Sequence, residues 1–177
     1  MDGLLPGVND SADTLIKLFQ AKTIGPHELV ALLGAHTTSQ QFNVDPKRAA
    51  APQDGTPGYA HLPYTSSLLR DMLILTLFRV WDTLFYNQTL GLGPLPKAVM
   101  RFLSDVVLAS DPRTSVEWRK FSMENEGQEH WNEDHAYSYI RLSLLGVNNI
   151  NNLTECTKVL PVPNKSFRGA GDLLIAD

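Results

Sequence analysis

The sequence predicts an all-α protein with little or no sheet, and three observations carry that expectation. Apolar residues recur at helical spacing in several separate stretches. Polar caps, first-turn prolines and terminal glycines bracket those stretches. No run of alternating apolar and polar residues is long enough for a strand of a major sheet.

The first helix is expected over residues 9–22, where the Asn9-Asp10-Ser11 cap precedes apolar positions Ala12, Leu15, Ile16 and Phe19 on one face. A second is expected over 26–36. Pro26 opens it, Glu28 suits its positive N-terminal end, and Leu29, Leu32, Leu33 and His36 share a face. Residues 40–66, with Pro46, Pro52, Pro57 and Pro63, read as a loop region. The strongly apolar stretch 67–81 reads as a buried helix, and Gly-Leu-Gly-Pro-Leu-Pro at 91–96 as a break. Further helices are expected at 97–110, 114–124 and 129–145, the last closed by Gly146.

The 177 residues are 43% hydrophobic and 19% charged, with a net charge of −4. That is the composition of a globular chain, and it excludes collagenous or wholly disordered classes. Mild acidity without a Lys/Arg cluster gives no footprint for nucleic acid. The longest apolar patch, near Met72–Phe78, is far short of the ~20 residues that span a membrane. A single cysteine, Cys156, excludes an internal disulfide. No signal-peptide pattern stands at the N-terminus.

Motif chemistry by itself is sparse. There is no His-Glu-x-x-His, Cys-x-x-Cys or Gly-x-Ser-x-Gly. The acidic pairs Glu124/Glu126 and Glu133/Asp134 read as solvated helix faces, and His36 alone reads as a hydrogen-bonded core residue.

The order of residues around His36 changes that reading. Leu4-Leu5-Pro6, Asp10-Ser11-Ala12-Asp13 and Glu28-Leu29-Val30-Ala31-Leu32-Leu33-Gly34-Ala35-His36-Thr37 together resemble the plant/fungal/bacterial haem peroxidase superfamily, most closely its secreted fungal branch. The later segments Ser104-Asp105-Val106-Val107-Leu108-Ala109-Ser110-Asp111-Pro112-Arg113-Thr114, Glu117-Trp118, Leu144-Leu145-Gly146-Val147 and Leu153-Thr154-Glu155-Cys156-Thr157 extend the resemblance over most of the chain. It implies a partial peroxidase domain over 1–177, made of the proximal-half helices, with 161–177 as a C-terminal tail. The implied cofactors are haem b and calcium, and the implied reaction is oxidation of small phenolic or aromatic donors by hydrogen peroxide. The implied setting is extracellular.

Carried over by motif, His36 is the expected axial ligand of haem iron and Asp105 the acceptor for its other ring nitrogen. A carboxylate there fixes the tautomer and makes the imidazole a stronger donor, which favours O–O cleavage. Without the motif, Asp105 reads as a helix-capping or surface acid. The family's calcium, a hard ion that wants six to eight oxygens, is expected on Thr37, Asp54, Thr56, the Val80 carbonyl and Asp82. The aromatic-Asp pair expected soon after Pro57 appears only at Trp81-Asp82. Joining Gly58 to Val80 restores the family run, so the 21 residues 59–79 read as an insertion. They are either a translated intron or a natural lid or packing helix.

The resemblance also implies a distal helix with a histidine and an arginine, upstream of the matching region. None of the five histidines (27, 36, 61, 130, 135) stands in such a motif, so the chain is expected to be inactive alone and to need a missing N-terminal half as structural complement. Cys156 matches a cysteine whose family partner lies in that half, and reads as an orphan thiol or an ordinary buried small hydrophobe. Another family cysteine position is filled by Ser115-Val116. Asn9, Asn87, Asn152 and Asn164 are sequons that fit a secreted lineage. Phe42 and Ala31 occupy the places where specialised relatives carry a manganese-binding acid and a surface tryptophan, which leaves generic oxidation at the haem edge. The alternative is a non-catalytic fragment or helical binding module without a haem pocket.

If 59–79 is a translated intron, the gene will carry a GTATGC donor across codons 58–60, a CTAAC branch site at codons 75–76 and a TTCAG acceptor at codons 78–79. Sequencing the gene and its spliced transcript checks this; absence of a donor or acceptor at those codons removes the intron reading.

Overall fold

The structure, a computed structural model, describes residues 5–38, 81–91, 101–123 and 126–162. Within them the chain is helical, with no strand. Six α-helices follow in order: α1 Ala12–Gln20, α2 Pro26–Leu33, α3 Leu84–Leu90, α4 Leu103–Ser110, α5 Ser115–Phe121 and α6 Gly127–Ser143. A 3-10 turn, Gly34–Thr38, continues α2, and two more short turns, Ile150–Asn152 and Thr157–Val159, follow α6. The all-α expectation holds.

Local chemistry explains most boundaries. Ser11 Oγ accepts the Thr14 N–H at 3.2 Å and starts α1. Ala12, Leu15 and Ile16 are buried and Phe19 is partly so, as the apolar spacing requires. Glu28 Oε2 accepts the Gly25 N–H at 2.7 Å, which satisfies a donor ahead of α2. Gly146, at φ +78°, takes the left-handed conformation two residues beyond the Leu144 C-cap of α6.

Two expectations are corrected, and one helix stands where none is expected. The second helix stops at Leu33 rather than reaching 36, because the chain tightens into the 3-10 turn that carries His36. Its buried residues are Leu29, Val30 and Ala31, a broader face than the stripe of Leu29, Leu32 and Leu33. Helix α3, immediately after Asp82, has too little periodicity in seven residues to be read from sequence. The expected helix at 67–81 and the proline-rich loop lie outside the described residues, except Trp81, which is not helical. Residues 161–162 of the expected tail are described and are not helical, and the rest of it lies outside.

The core is assembled around the C-terminal end of α2. Phe85, Tyr86, Trp118, Phe121 and Trp131 are fully shielded and meet edge-on or tilted, with Tyr86 5.3 Å from Trp118 and 5.2 Å from Phe121 between ring centroids. Such pairs add to the area they bury. Trp118 Nε1–H donates to the Tyr86 carbonyl at 3.2 Å, so even the indole polar group is paired.

Donors from α3 and α6 converge on two α2 carbonyls. Tyr86 donates its hydroxyl to Val30 O at 2.9 Å. Trp131 Nε1–H and His135 Nδ1–H both donate to Ala31 O, each at 2.9 Å. Burial pushes the His135 pKa below its ordinary value, against the opposing effect of that hydrogen bond. Gly34 makes this convergence sterically feasible. A Cβ there would overlap Trp131 Nε1 and Cε2 and stand 2.5 Å from the Tyr86 hydroxyl.

Gly34→Ala is therefore expected to destabilise the fold by about 3 kcal/mol, the upper range for overpacking a close-packed core. Urea denaturation followed by far-UV circular dichroism checks this; an unchanged midpoint would show that the rings yield easily.

Candidate active site

The turn Gly34–Thr38 points two polar side chains in different directions. His36 faces α4. Its Nδ1 lies 3.1 Å from Asp105 Oδ2, across 69 residues of sequence. Asp105 is 1% exposed whereas the His36 side chain is 31% exposed, so the carboxylate is interior and the ring sits at the edge of the core. With Nδ1–H donating, the imidazole tautomer is fixed and Nε2 is the acceptor nitrogen on the other side of the ring. Phe85 and Phe102 meet the ring edge-on at 5.6 and 5.7 Å, which limits its rotation. Asp105 Oδ1 is buried without a hydrogen bond.

Asp105 is held by the start of α4. The Ser104 N–H donates to Val8 O at 3.0 Å, which ties this turn to the segment before α1. At the other end, Thr114 Oγ1 donates to Leu108 O and joins α4 to α5.

Thr37 points inward and is wholly buried. Its hydroxyl donates to Asp82 Oδ1 at 3.1 Å, and the Leu84 N–H donates to the same oxygen at 3.1 Å. Asp82 Oδ2 has no hydrogen bond and is shielded from solvent. Burial pushes the Asp82 carboxyl up to about 6, with the Leu84 and Thr37 hydrogen bonds opposing it. A hydroxyl and an under-coordinated carboxylate oxygen are the hard donors that calcium prefers.

The structure thus brings His36 to Asp105 and Thr37 to Asp82. Asp54, Thr56 and Val80 lie outside the described residues. Asp105 is buried, contrary to its reading as a surface acid. Cys156 is exposed rather than a buried small hydrophobe. Glu126 and Glu133 are exposed as expected, but Asp134 is only partly so and is engaged in ion pairs. Sequence reading missed Tyr86, Trp131 and His135 as the anchors of the His36 turn. The small residue Gly34 beside His36 is the one local signal of such close packing.

Residues 1–124 match the family model described as Peroxidase, and the chain belongs to that family. It is similar to Manganese peroxidase 2 of Phlebia radiata, 31% identical over 170 residues that cover 92% of this chain and 41% of the relative. It is likewise 31% identical to Ligninase LG5 of Phanerodontia chrysosporium, over 162 residues that cover 91% of this chain and 41% of that protein. A Peroxidase of Arthromyces ramosus is 27% identical, covering 89% of this chain and 40% of its own length. The chain spans about two-fifths of the length of these relatives.

Thr37→Val is expected to cost about 1–3 kcal/mol in chelator-containing buffer, because a buried carboxylate loses one of its two donors. Thermal or urea melts check it; a neutral effect would mean that Asp82 is solvated or protonated in the folded chain.

Proposed function

We propose that this chain is the haem-ligating part of a peroxidase, with His36 as the axial ligand through Nε2 and Asp105 as its partner through Nδ1. The observation that supports this best is the His36–Asp105 hydrogen bond, a surface-edge imidazole oriented by an interior carboxylate. Haem, when bound, supplies an iron centre at which hydrogen peroxide is reduced and small phenolic donors are oxidised.

The chain's own residues prepare that ligand. Asp105 keeps the proton on Nδ1, so Nε2 presents a lone pair, and the carboxylate charge raises its donor strength. The edges of Phe85 and Phe102 hold the ring plane. Tyr86, Trp131 and His135 fix the backbone from which the ring projects. None of the five histidines stands in a motif suited to proton transfer on the peroxide side, so turnover by these 177 residues alone is expected to be negligible.

Calcium belongs to the same proposal. Thr37 Oγ1, Asp82, Asp54, Thr56 and the Val80 carbonyl would hold it. The solvent-shielded Asp82 Oδ2 without a hydrogen bond supports the fit. The ion would keep Asp82 ionised against its burial and brace the residue next to His36. An extracellular setting follows from the resemblance to secreted fungal peroxidases; among the described residues no helix is long and apolar enough to cross a membrane.

Adding haemin to the chain is expected to give the Soret band of a histidine-ligated haem. His36→Ala should abolish it, and Asp105→Asn should retain the band but raise the reduction potential of the bound iron. An unchanged band in His36→Ala would overturn the assignment of the ligand, and absence of the band in the unmodified chain would favour a helical module without a haem pocket.

A further inference from the structure

Among the described residues, 148–162 form the longest uninterrupted exposed stretch. It follows α6 and carries the two short 3-10 turns Ile150–Asn152 and Thr157–Val159. Within it stands the sequon Asn152-Leu153-Thr154, which the His36 site does not use.

We propose that Asn152 is the residue at which this fold accepts an N-linked oligosaccharide; the inference rests on the extracellular setting proposed above. Transfer forms a bond between Asn152 Nδ2 and the anomeric carbon of the sugar. The bond from that carbon to the diphosphate of a lipid-linked donor breaks. The lipid diphosphate leaves with the bonding pair, and the amide loses one proton to solvent. The attached group is bulky and strongly hydrated, so the folded chain must hold it clear of every packed face.

The backbone at Asn152 meets that requirement. Asn152 ends a 3-10 turn of three residues, and its N–H donates to Asn149 O at 2.8 Å. Leu153 is extended, at φ −70° and ψ 139°, and leads Thr154 away from the turn. All three residues of the sequon are exposed. Neither the Asn152 nor the Thr154 side chain has a hydrogen bond among the described residues, so the linkage disrupts no contact there.

The other sequons differ. Asn87 lies within α3, partly buried, beside the buried Tyr86. Its partner Thr89 is also buried, with the hydroxyl donating to Phe85 O at 2.8 Å. Helix α3 packs on α4, α5 and the turn that bears His36, which leaves little room for a sugar. Asn9 is exposed, but its turn is tied down. Asp10 Oδ2 accepts the Gly7 N–H at 2.7 Å, Ser11 caps α1, and the Val8 carbonyl holds the start of α4. Asn164 lies outside the described residues.

A sugar on Asn152 also has apolar surface to cover. Ile150 and Leu153, on either side of it, are 51% and 53% exposed. The exposed thiol of Cys156 stands four residues further on and would be screened by the same group.

Expression of the full chain behind a cleavable secretion leader in a eukaryotic host tests the assignment. Enzymatic release of the sugar in heavy-oxygen water converts each sugar-bearing asparagine to a labelled aspartate. Peptide mass spectrometry reads the label on both the exported chain and the chain held in the secretory lumen. The label is expected at Asn152 and not at Asn87. Thr154→Ala should lose it and Thr154→Ser should keep it, since the asparagine is present in both. An unlabelled Asn152, a label on Asn87 of the exported chain, or a label on Asn152 that survives Thr154→Ala would overturn the proposal. The leader is supplied, so such a failure counts against the site alone; export from the cells that naturally make the chain tests the extracellular setting separately.

Discussion

The C-terminal end of α2 is the constraint on which the rest of the molecule depends. A helix end leaves carbonyls without intrahelical partners, and burying them unpaired is costly. Here the Val30 and Ala31 carbonyls are met by a phenol, an indole and an imidazole from two other helices. The donors are large, so they form the core as well as the cap. They approach closely because residue 34 has no side chain. The 3-10 turn begins where these hydrogen bonds concentrate, and His36 and Thr37 project from it. Core packing and site geometry are therefore one arrangement.

The two interior carboxylates beside this turn are managed differently. Asp105 has a cationisable ring opposite one oxygen. Asp82 has only neutral donors, a hydroxyl and an amide, and its acidity is weakened by burial. In each case one oxygen is hydrogen-bonded and the other is not. A buried carboxylate without a positive partner is expensive unless it is protonated or a cation joins it. Asp105 lies against an imidazole, whereas Asp82 meets no cationic side chain among the described contacts.

Much of this was legible in the sequence, for identifiable reasons. α1 carries a serine cap and a clean apolar face, so both its start and its buried residues follow from spacing. The His36–Asp105 pairing and the assignment of Thr37 and Asp82 to one site come from ordered motifs, since no local rule connects residues 69 or 45 positions apart. The end of α2 is not legible in this way, because helical periodicity continues through His36 while the backbone tightens. The roles of Tyr86, Trp131 and His135 depend on three elements meeting at one carbonyl pair, which no single stretch encodes. Asp134 looked like half of a solvated acidic pair, yet α2 and α5 place His27 and Lys120 against it.

The placement of the tryptophans has an optical consequence. The chain has three, and all are bound up with the same node. Trp131 caps α2, Trp81 stacks on it at 4.4 Å beside Asp82, and Trp118 packs 5.3 Å from Tyr86. Tryptophan emission thus has no peripheral reporter to dilute it. Its wavelength and intensity follow the state of the α2 cap, and any loosening of the turn that bears His36 changes the emission directly.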